Sequence, residues 1–270
     1  IINLAPDFAA VSYFDNKIEN NKLLNGKLPL NNPVFTTKDS ISRVVRELDE
    51  GDGVAVAVEM GGGGTGIKRI RTQEELGGWV SEKGDVPYVV ERWLNNSTPL
   101  FSYGIVDSFG NVLKAPLLGM DVKNQTSWYG TTYESADNKP ISQASSMMNT
   151  VGSELNKHRP GFSGLFDVDF IYNGDSLYFM EINPRSGGSN LETAFHMDTV
   201  NSGRKKFMDL EMDALMGKPI PTDYKTETTE YTWSHKEVKF NYDVKVIGEF
   251  PVLSKKQSFD NKEGGVFGVY

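Results

Sequence analysis

An apolar run that leads directly into a carboxylate, an amide and a guanidinium occupies residues 177–185, LYFMEINPR. Burying such groups without partners is costly, so a strand that ends in this way indicates a functional site. The groups that could do chemistry there are Glu181, Asn183 and Arg185. Their partners must come from a neighbouring element.

The residues before this run predict the other strand of a β-hairpin, because Asn-Gly at 173–174 is the strongest short-range hairpin signal. Side chains alternate between the two faces of a strand, and a three-residue loop separates apolar from acidic residues most cleanly. This register places Asp169 opposite Phe179 and Asp167 opposite Glu181.

One face of the predicted hairpin is acidic. It holds Asp167, Asp169, Glu181 and Asn183. Clustered acids repel unless a cation or a shared proton intervenes, and oxygen ligands of this kind suit Mg²⁺. A solvated sheet face is the alternative, although it would expose Ile171, Leu177 and Phe179. The hairpin alone leaves both interpretations open.

A glycine run, GGGGTG at 61–66, lies between two predicted strands. Ordering consecutive glycines is entropically expensive, so the run indicates close backbone approach or mobility. Backbone N–H groups around a phosphate are the functional interpretation, and a floppy hairpin tip is the alternative. The run does not fit a phosphate loop ending in Gly-Lys-Ser/Thr, because Ile67 follows Gly66, nor a dinucleotide fingerprint, which needs a strand and then a helix.

The composition limits the class of protein. The chain has 270 residues, 38% of them hydrophobic, and a net charge of −8. This indicates a globular protein without the electrostatic footprint of a nucleic-acid binder. The absence of cysteine excludes disulfides and thiolate chemistry, and no apolar stretch reaches the roughly 18 residues of a membrane span. We expect a cytoplasmic protein that binds neither nucleic acid nor membranes, and a homodimer is left open.

The pattern of elements divides the chain into four parts: a lead-in segment (1–35), a small lobe (36–93), a large lobe (94–218) and a β-rich C-terminal extension (219–270). Helices are predicted within residues 14–26, with Asp15 or Asn16 as the N-cap, and within 41–51, 141–160 and 207–217. Another helix is predicted to start at Thr72, with a capping-box spacing from Thr72 to Glu75. Strands are predicted at 53–60, 67–70 and 86–94, around a turn at 108–111, and in the hairpin.

Together these pieces resemble the ATP-grasp superfamily, and within it the biotin-carboxylase-like carboxylate–amine ligases. The resemblance runs from about Asp15 to Asn190 and is most specific in GLFDVDFIYNGDSLYFMEINPRSGG. It implies an α+β fold with ATP between two α/β lobes and a flap at the glycine run. It also implies a separate substrate-binding lobe upstream of residue 1, where this chain begins with Ile.

The resemblance also implies roles for single residues. Asp169, Glu181 and Asn183 would bind Mg²⁺, with Mn²⁺ as an alternative metal, and Arg185 would join Asn183 in catalysis by holding the carboxylate or acyl-phosphate. The implied nucleotide-binding residues are Lys17, Glu59, Gly62, Gly63, Gly64, Glu91, Trp93 and Leu94. Of these, Lys17 would meet the phosphates, and Glu91 would be the hinge acid beside adenine, with backbone contacts from the two residues at 93–94.

One feature departs from the family pattern. The family carries a phosphate-binding lysine at the end of the strand before the flap, and here that position falls on Ala57 or Glu59. Neither side chain is cationic. Lys68 and Arg69, beyond the flap, are the alternative sources of positive charge.

The function implied is an ATP-dependent ligase that joins a small-molecule carboxylate to an amine through an acyl-phosphate, with amino acids or small acids as substrates. A catalytically impaired nucleotide-binding domain and a biotin-dependent carboxylase are the alternatives, and a structural module with a solvated acidic face is a third. The three histidines, His158, His196 and His235, show no metal-ligand spacing.

Overall fold

The computed structural model describes residues 5–61, 64–123, 126–132, 138–158, 161–226, 234–236, 249–252 and 255–258. The helices are α1 (Phe8–Phe14), α2 (Lys17–Leu24), α3 (Ile41–Leu48), α4 (Gln73–Lys83), α5 (Asn138–Lys157), α6 (Asn190–Val200) and α7 (Phe207–Leu215). The strands are β1 (Val34–Thr36), β2 (Val54–Val58), β3 (Ile67–Ile70), β4 (Tyr88–Arg92), β5 (Thr98–Val106), β6 (Val112–Lys123), β7 (Ser127–Thr132), β8 (Gly164–Tyr172), β9 (Leu177–Asn183), β10 (Ser234–Lys236), β11 (Glu249–Val252) and β12 (Lys255–Ser258).

Side-chain caps fix the starts of two predicted helices. The Asn16 side chain accepts hydrogen bonds from the backbone at 18 and 19, so α2 begins at Lys17. Thr72 Oγ1 accepts from Glu75 N at 3.1 Å, while the Glu75 carboxylate accepts from Arg71 N at 2.7 Å. The capping box from Thr72 to Glu75 is therefore confirmed, and of the two caps predicted for α2, Asn16 is the one used.

The small sheet is antiparallel and has the order β1-β4-β2-β3. Alternate residues of β2 pack against α3 and α4, with Ile41 and Trp79 in the same buried cluster. Strands β2, β3 and β4 confirm the prediction. Strand β1 was missed, because its three residues follow a proline in a stretch typical of a linker.

The large sheet has the order β10-β7-β6-β5-β8-β9. One of its faces packs against α1 and α5, with Phe166 and Val168 in the core. The opposite face packs against α6 and α7, with Leu165 in a second core. Two separate sheets with surrounding helices confirm the α+β class.

The register of the predicted hairpin was wrong. Asp169 lies opposite Glu181, not opposite Phe179, and Asp167 lies opposite Asn183. The loop has four residues, 173–176. The prediction assumed unbroken alternation, but β9 carries a β-bulge at residue 180.

The bulge explains where the apolar residues of β9 go. Phe179 pairs with Phe170, and Ile182 pairs with Val168, so the side chains of Phe179 and Ile182 share one buried face although their sequence separation is odd. Phe179 is 0% exposed. Phe179 is therefore not on the acidic face, in contrast to the predicted register.

The described residues fall into two compact units, 1–235 and 236–270. In the second unit, β11 and β12 form an antiparallel pair. Ile220 and Tyr224, within the predicted C-terminal extension, pack in the second core of the large sheet. The four predicted parts themselves stay a prediction. Within the described ranges, no helix is long and apolar enough to cross a membrane.

Candidate active site

The acidic end of the β8–β9 hairpin gathers the predicted carboxylates. Asn183 Nδ2 donates a hydrogen bond to Asp167 Oδ1 at 2.6 Å and lies 3.5 Å from Asp169 Oδ2. Arg185 donates to Asn183 Oδ1 at 3.1 Å. With Glu181 directly opposite Asp169, the four residues named from sequence and the neighbouring Asp167 form one cluster.

The cluster carries excess negative charge and is largely buried from solvent. Burial raises the pKa of Asp169 well above its usual range, and the carboxylates of Asp167 and Glu181 raise it further. Burial likewise raises the pKa of Asp167 to about 7, against the lowering effects of the Asn183 hydrogen bond and of Arg185. A bound cation would relieve this repulsion.

The donor set fits a magnesium ion that is also held by phosphates. In the part of the chain that the structure describes, no group of three or more His, Asp or Glu side chains is arranged as a complete metal site. The hairpin offers the carboxylates of Asp169 and Glu181 with the amide of Asn183. Because Mg²⁺ is usually held by one or two carboxylates together with substrate phosphates, this incomplete set matches its needs.

Lys17 brings positive charge to the acidic cluster from the first turn of α2. Its ammonium forms an ion pair with Glu181 and donates to Gly61 O at 3.1 Å. The Lys17 side chain is 13% exposed. It therefore joins the metal-ligand candidate on the large sheet to the base of the glycine-rich flap (Gly61–Gly66).

Hydrogen bonds to Glu59 connect the start of α2 to the end of β2. Asn16 Nδ2 donates to Glu59 Oε2 at 3.2 Å, and Lys17 N donates to Glu59 O at 2.9 Å. Glu59 thus anchors the start of α2 to the end of β2. The other side chain at the predicted lysine position, Ala57, is buried.

The flap closes by contact between glycine backbones. A Cβ on Gly61 would lie 2.6 Å from Gly66 Cα, and a Cβ on Gly66 would lie 2.9 Å from Gly61 Cα. Val58 N donates to Gly66 O at 2.9 Å across the base. Gly64 has a φ of +81°, and the predicted residues Gly62 and Gly63 lie outside the described residues.

The cations beyond the flap contact residues of the small lobe. The Arg69 guanidinium donates to Asp52 O at 2.6 Å and lies 4.6 Å from the centre of the Trp93 ring. The Lys68 ammonium lies 5.9 Å from the centre of the Trp79 ring on α4. Both residues lie on β3, the edge strand of the small sheet.

The predicted hinge follows β4. Glu91 is 7% exposed, and burial raises its pKa to about 8. Two backbone carbonyls after Glu91 are already engaged, because Asn31 Nδ2 donates to Arg92 O at 2.8 Å and Ser97 Oγ donates to Leu94 O at 2.8 Å. The hinge is thus tied to the lead-in segment at Arg92 and closed by a local turn at Leu94.

The loop after Arg185 passes close to Tyr103 and Asp167, a contact that the sequence did not predict. A Cβ on Gly187 would overlap Tyr103 Oη and lie 2.8 Å from Asp167 Oδ2, so the loop backbone passes directly over both groups. Ser189 N donates to Tyr103 Oη at 3.3 Å. The SGGS sequence was a signal for close approach, but Tyr103, which pairs with Asp167 across β5 and β8, has no sequence signal.

The three histidines lie on or near other elements. His158 stacks on Tyr13 with ring centres 4.1 Å apart, and His196 is buried on α6. His235 lies on β10. The polar and aromatic segment 121–138 is a candidate substrate loop from its sequence, and its two candidate contacts, the side chains of Lys123 and Trp128, lie outside the described residues.

Known proteins resemble this chain. No family model matches it. It is 25% identical over 232 residues to the formate-dependent phosphoribosylglycinamide formyltransferase of Synechococcus sp. (strain CC9902), covering 82% of this chain and 55% of that protein.

Two solved structures share its fold. The biotin carboxylase domain of the Hydrogenobacter thermophilus 2-oxoglutarate carboxylase matches with a TM-score of 0.74 and 14% identity, over 100% of this chain and 62% of that one. N5-carboxyaminoimidazole synthase of Aspergillus clavatus matches with a TM-score of 0.61 and 15% identity, over 81% and 56%. In all three cases the chain spans less than two thirds of the other protein.

The glycine contact at the flap base predicts opposite effects for two Gly→Ala changes. Gly66→Ala should lower the free energy of unfolding by about 1 to 3 kcal/mol, because the new methyl group meets the Gly61 backbone. Gly78→Ala on α4 has open space around the new Cβ and should raise it by about 0.5 to 1 kcal/mol. Urea unfolding of both variants measures the difference, and a Gly66→Ala variant as stable as the unmodified chain would contradict the closed flap base.

Burial of Glu91 predicts a pH dependence of stability. Its pKa is about 8 in the folded chain against 4.5 for an ordinary glutamate, so the folded state binds more protons and the free energy of unfolding falls as pH rises between these values. Glu91→Gln does not titrate. Between about pH 5 and about pH 8.5 the unmodified chain should therefore lose on the order of 3 kcal/mol more than this variant in urea unfolding. The exposed Glu47→Gln is the control, and equal losses for the chain and the Glu91 variant would show that Glu91 is not buried.

Proposed function

We propose that the chain forms the nucleotide-binding part of an ATP-dependent ligase of the ATP-grasp type, which joins a carboxylate to an amine through an acyl-phosphate. The observation that carries this proposal is the opposed pair Asp169 and Glu181, with Lys17 connecting Glu181 to the flap base. Carboxylates, a cation and glycine backbone thus converge where a triphosphate would need them.

The nucleotide would lie between the small and the large sheet. Adenine would face the hinge at Glu91, with backbone groups of Trp93 and Leu94 beside it, and the triphosphate would extend toward the acidic cluster. The flap backbone at Gly62–Gly64 would cover the phosphates with N–H groups. The raised pKa of Glu91 favours its neutral form, which can donate a hydrogen bond to a ring nitrogen.

Phosphoryl transfer needs charge neutralisation and alignment more than covalent help from the protein. Mg²⁺ or Mn²⁺, bound by Asp169, Glu181 and Asn183, would supply Lewis-acid stabilisation of the phosphates. Arg185 is exposed beside Asn183 and would hold the carboxylate substrate in line. Closure of the flap would exclude water, which protects an acyl-phosphate from hydrolysis.

Lys17 is the cation that we propose for the phosphates in place of the missing flap lysine. It contacts the flap base and the acidic cluster together, whereas Arg69 and Lys68 are held by other partners. When a triphosphate enters, the ammonium would exchange Glu181 for phosphate oxygen, and Glu181 would become available to the metal.

The names of similar proteins suggest a small acid as the carboxylate. One relative is described as formate-dependent and one structural neighbour contains bicarbonate, so we favour an acid of this size over an amino acid. The amine is open. That neighbour is described as a dimer, and a homodimer here stays a prediction, as does carboxylation of biotin.

A nucleotide-binding domain without ligase activity is the second candidate. The specific observation in its favour is that neither Ala57 nor Glu59 supplies a cation at the end of β2. Glu59 is instead held by the start of α2.

Removal of single carboxylates tests the metal site. Asp169→Asn and Glu181→Gln should each weaken Mg²⁺-dependent binding of ATP by about 10-fold or more, because a charged ligand oxygen is lost. Calorimetry with ATP and Mg²⁺ measures this, with the exposed Asp39→Asn as the control. ADP release in the presence of formate or bicarbonate and a panel of amines supports the ligase, and binding without ADP release supports the second candidate. Absence of nucleotide binding by the unmodified chain would overturn both.

Replacement of Lys17 tests the proposed phosphate cation. Lys17→Met should weaken ATP binding by about 10-fold or more, since a charge-assisted contact is lost, and Lys17→Arg should retain part of the affinity. Lys22→Met, on the same helix but 53% exposed, is the matched control. If Lys17→Met instead binds ATP as tightly as the unmodified chain, the ammonium serves only to neutralise Glu181.

A further inference from the structure

We infer that Asp167 is a positioning residue of the proposed metal site: it fixes the Asn183 amide so that the amide oxygen, and not the NH₂ group, is presented to the metal. The inference rests on the proposed function, because it needs a metal at Asp169 and Glu181. It adds a role for a carboxylate that the resemblance does not assign.

The hydrogen bond between the two residues sets the direction of the amide. An asparagine side chain has one accepting oxygen and one donating nitrogen, and Nδ2 of Asn183 lies 2.6 Å from Asp167 Oδ1. Rotation of the amide by half a turn would place its oxygen against a carboxylate oxygen, two acceptors with no proton between them. With Nδ2 held by Asp167, Oδ1 is the atom left for a cation, and Arg185 donates to it at 3.1 Å.

Asp167 itself is badly placed as a metal ligand. One of its oxygens is bound to Asn183, and the other lies under the Gly187 backbone. The residue is 6% exposed, whereas the Glu181 side chain is 20% exposed. Asp169 lies two residues after Asp167 on β8, and Glu181 lies two residues before Asn183 on β9. The proposed ligands are thus Asp169, Glu181 and the Asn183 amide oxygen, with Asp167 as their support.

The surroundings of Asp167 are rigid enough for a positioning role. Tyr103 lies opposite it on β5 and receives a hydrogen bond from Ser189 N at 3.3 Å. Ser189 in turn shares a hydrogen bond of 2.6 Å with buried Thr131 on β7. The loop that presents Arg185 is therefore fixed to β5 and β7 of the large sheet, with Asp167 of β8 beneath it.

Hydrogen bonds from residues that are not themselves ligands orient the metal ligands, and their loss commonly lowers metal affinity 10- to 100-fold. The effect should appear in the metal dependence of nucleotide binding. It should not appear in binding of the nucleotide alone, because Asp167 contacts Asn183 rather than the proposed phosphate position.

The experiment titrates Mg²⁺ at fixed ATP with the full chain and measures the Mg²⁺ concentration for half-maximal binding. Asp167→Ala should raise this concentration by about 10-fold or more without weakening ATP binding in EDTA. Asp167→Asn keeps an oxygen that can accept from Asn183 and should retain most of the metal affinity. Asp39→Ala, an exposed carboxylate, is the control, and thermal unfolding is measured for every variant.

A reciprocal exchange keeps the test decisive if Asp167→Ala does not fold. Asn183→Asp alone sets two carboxylates at hydrogen-bond distance and should weaken metal binding. Asn183→Asp combined with Asp167→Asn reverses the donor and restores the hydrogen bond, so the double variant should recover metal affinity relative to Asn183→Asp.

The outcomes separate this inference from the proposed function. If the unmodified chain does not bind Mg²⁺ and ATP together, the proposed function fails. If it does, and Asp169→Asn weakens binding while Asp167→Ala does not, only the positioning role is overturned. Equal losses for Asp167→Asn and Asp167→Ala, or no recovery in the double variant, would likewise overturn it, because the charge of Asp167 would then matter rather than its acceptor.

Discussion

A single extra residue in β9 sets the direction of every functional side chain after it. Met180 has no partner on β8, since Phe179 pairs with Phe170 and Glu181 pairs with Asp169. Strict alternation would put Phe179 and Glu181 on one face, and burial of the phenyl ring would then bury the carboxylate in the same core. The bulge resolves this conflict. Phe179 and Ile182 pack in the hydrophobic core, and Glu181 is presented on the other face of the strand.

The electrostatics of the site follow from that placement. Three carboxylates at the end of a covered sheet lose hydration and repel one another, which raises the pKa values of Asp167 and Asp169. The chain offsets the charge with Lys17 and Arg185, both from outside the regular part of the hairpin. A site held by such exchangeable partners is suited to accept a divalent cation with an anionic substrate, because the cation can replace the ammonium as the neutralising charge.

The sequence was sufficient for the chemistry of the hairpin but not for its geometry. Asn173-Gly174, the apolar run and the acids predicted two paired strands with an acidic face, and the structure confirms both. The register failed because a bulge has no sequence signal of its own, and the choice between loops of three and four residues depends on contacts such as that of Phe179 N with Pro29 O. Likewise, Tyr103 and Gly187 meet Asp167 only through the order of strands in the sheet and the path of a loop. Capped helices such as α2 and α4 were predictable because their signals lie within four residues.

The absence of a lysine at the end of β2 has a structural counterpart at the start of α2. Glu59 occupies that region, and both its side chain and its carbonyl accept hydrogen bonds from residues 16 and 17. A lysine at this point could not accept the bond from Asn16, and its ammonium would lie close to that of Lys17. The two arrangements are therefore alternatives: either the strand carries the cation itself, or it carries an acceptor that holds the start of α2 in place and the cation comes from there. In this chain Glu59, one of the two residues that would replace the lysine in sequence, holds the start of α2 and with it Lys17.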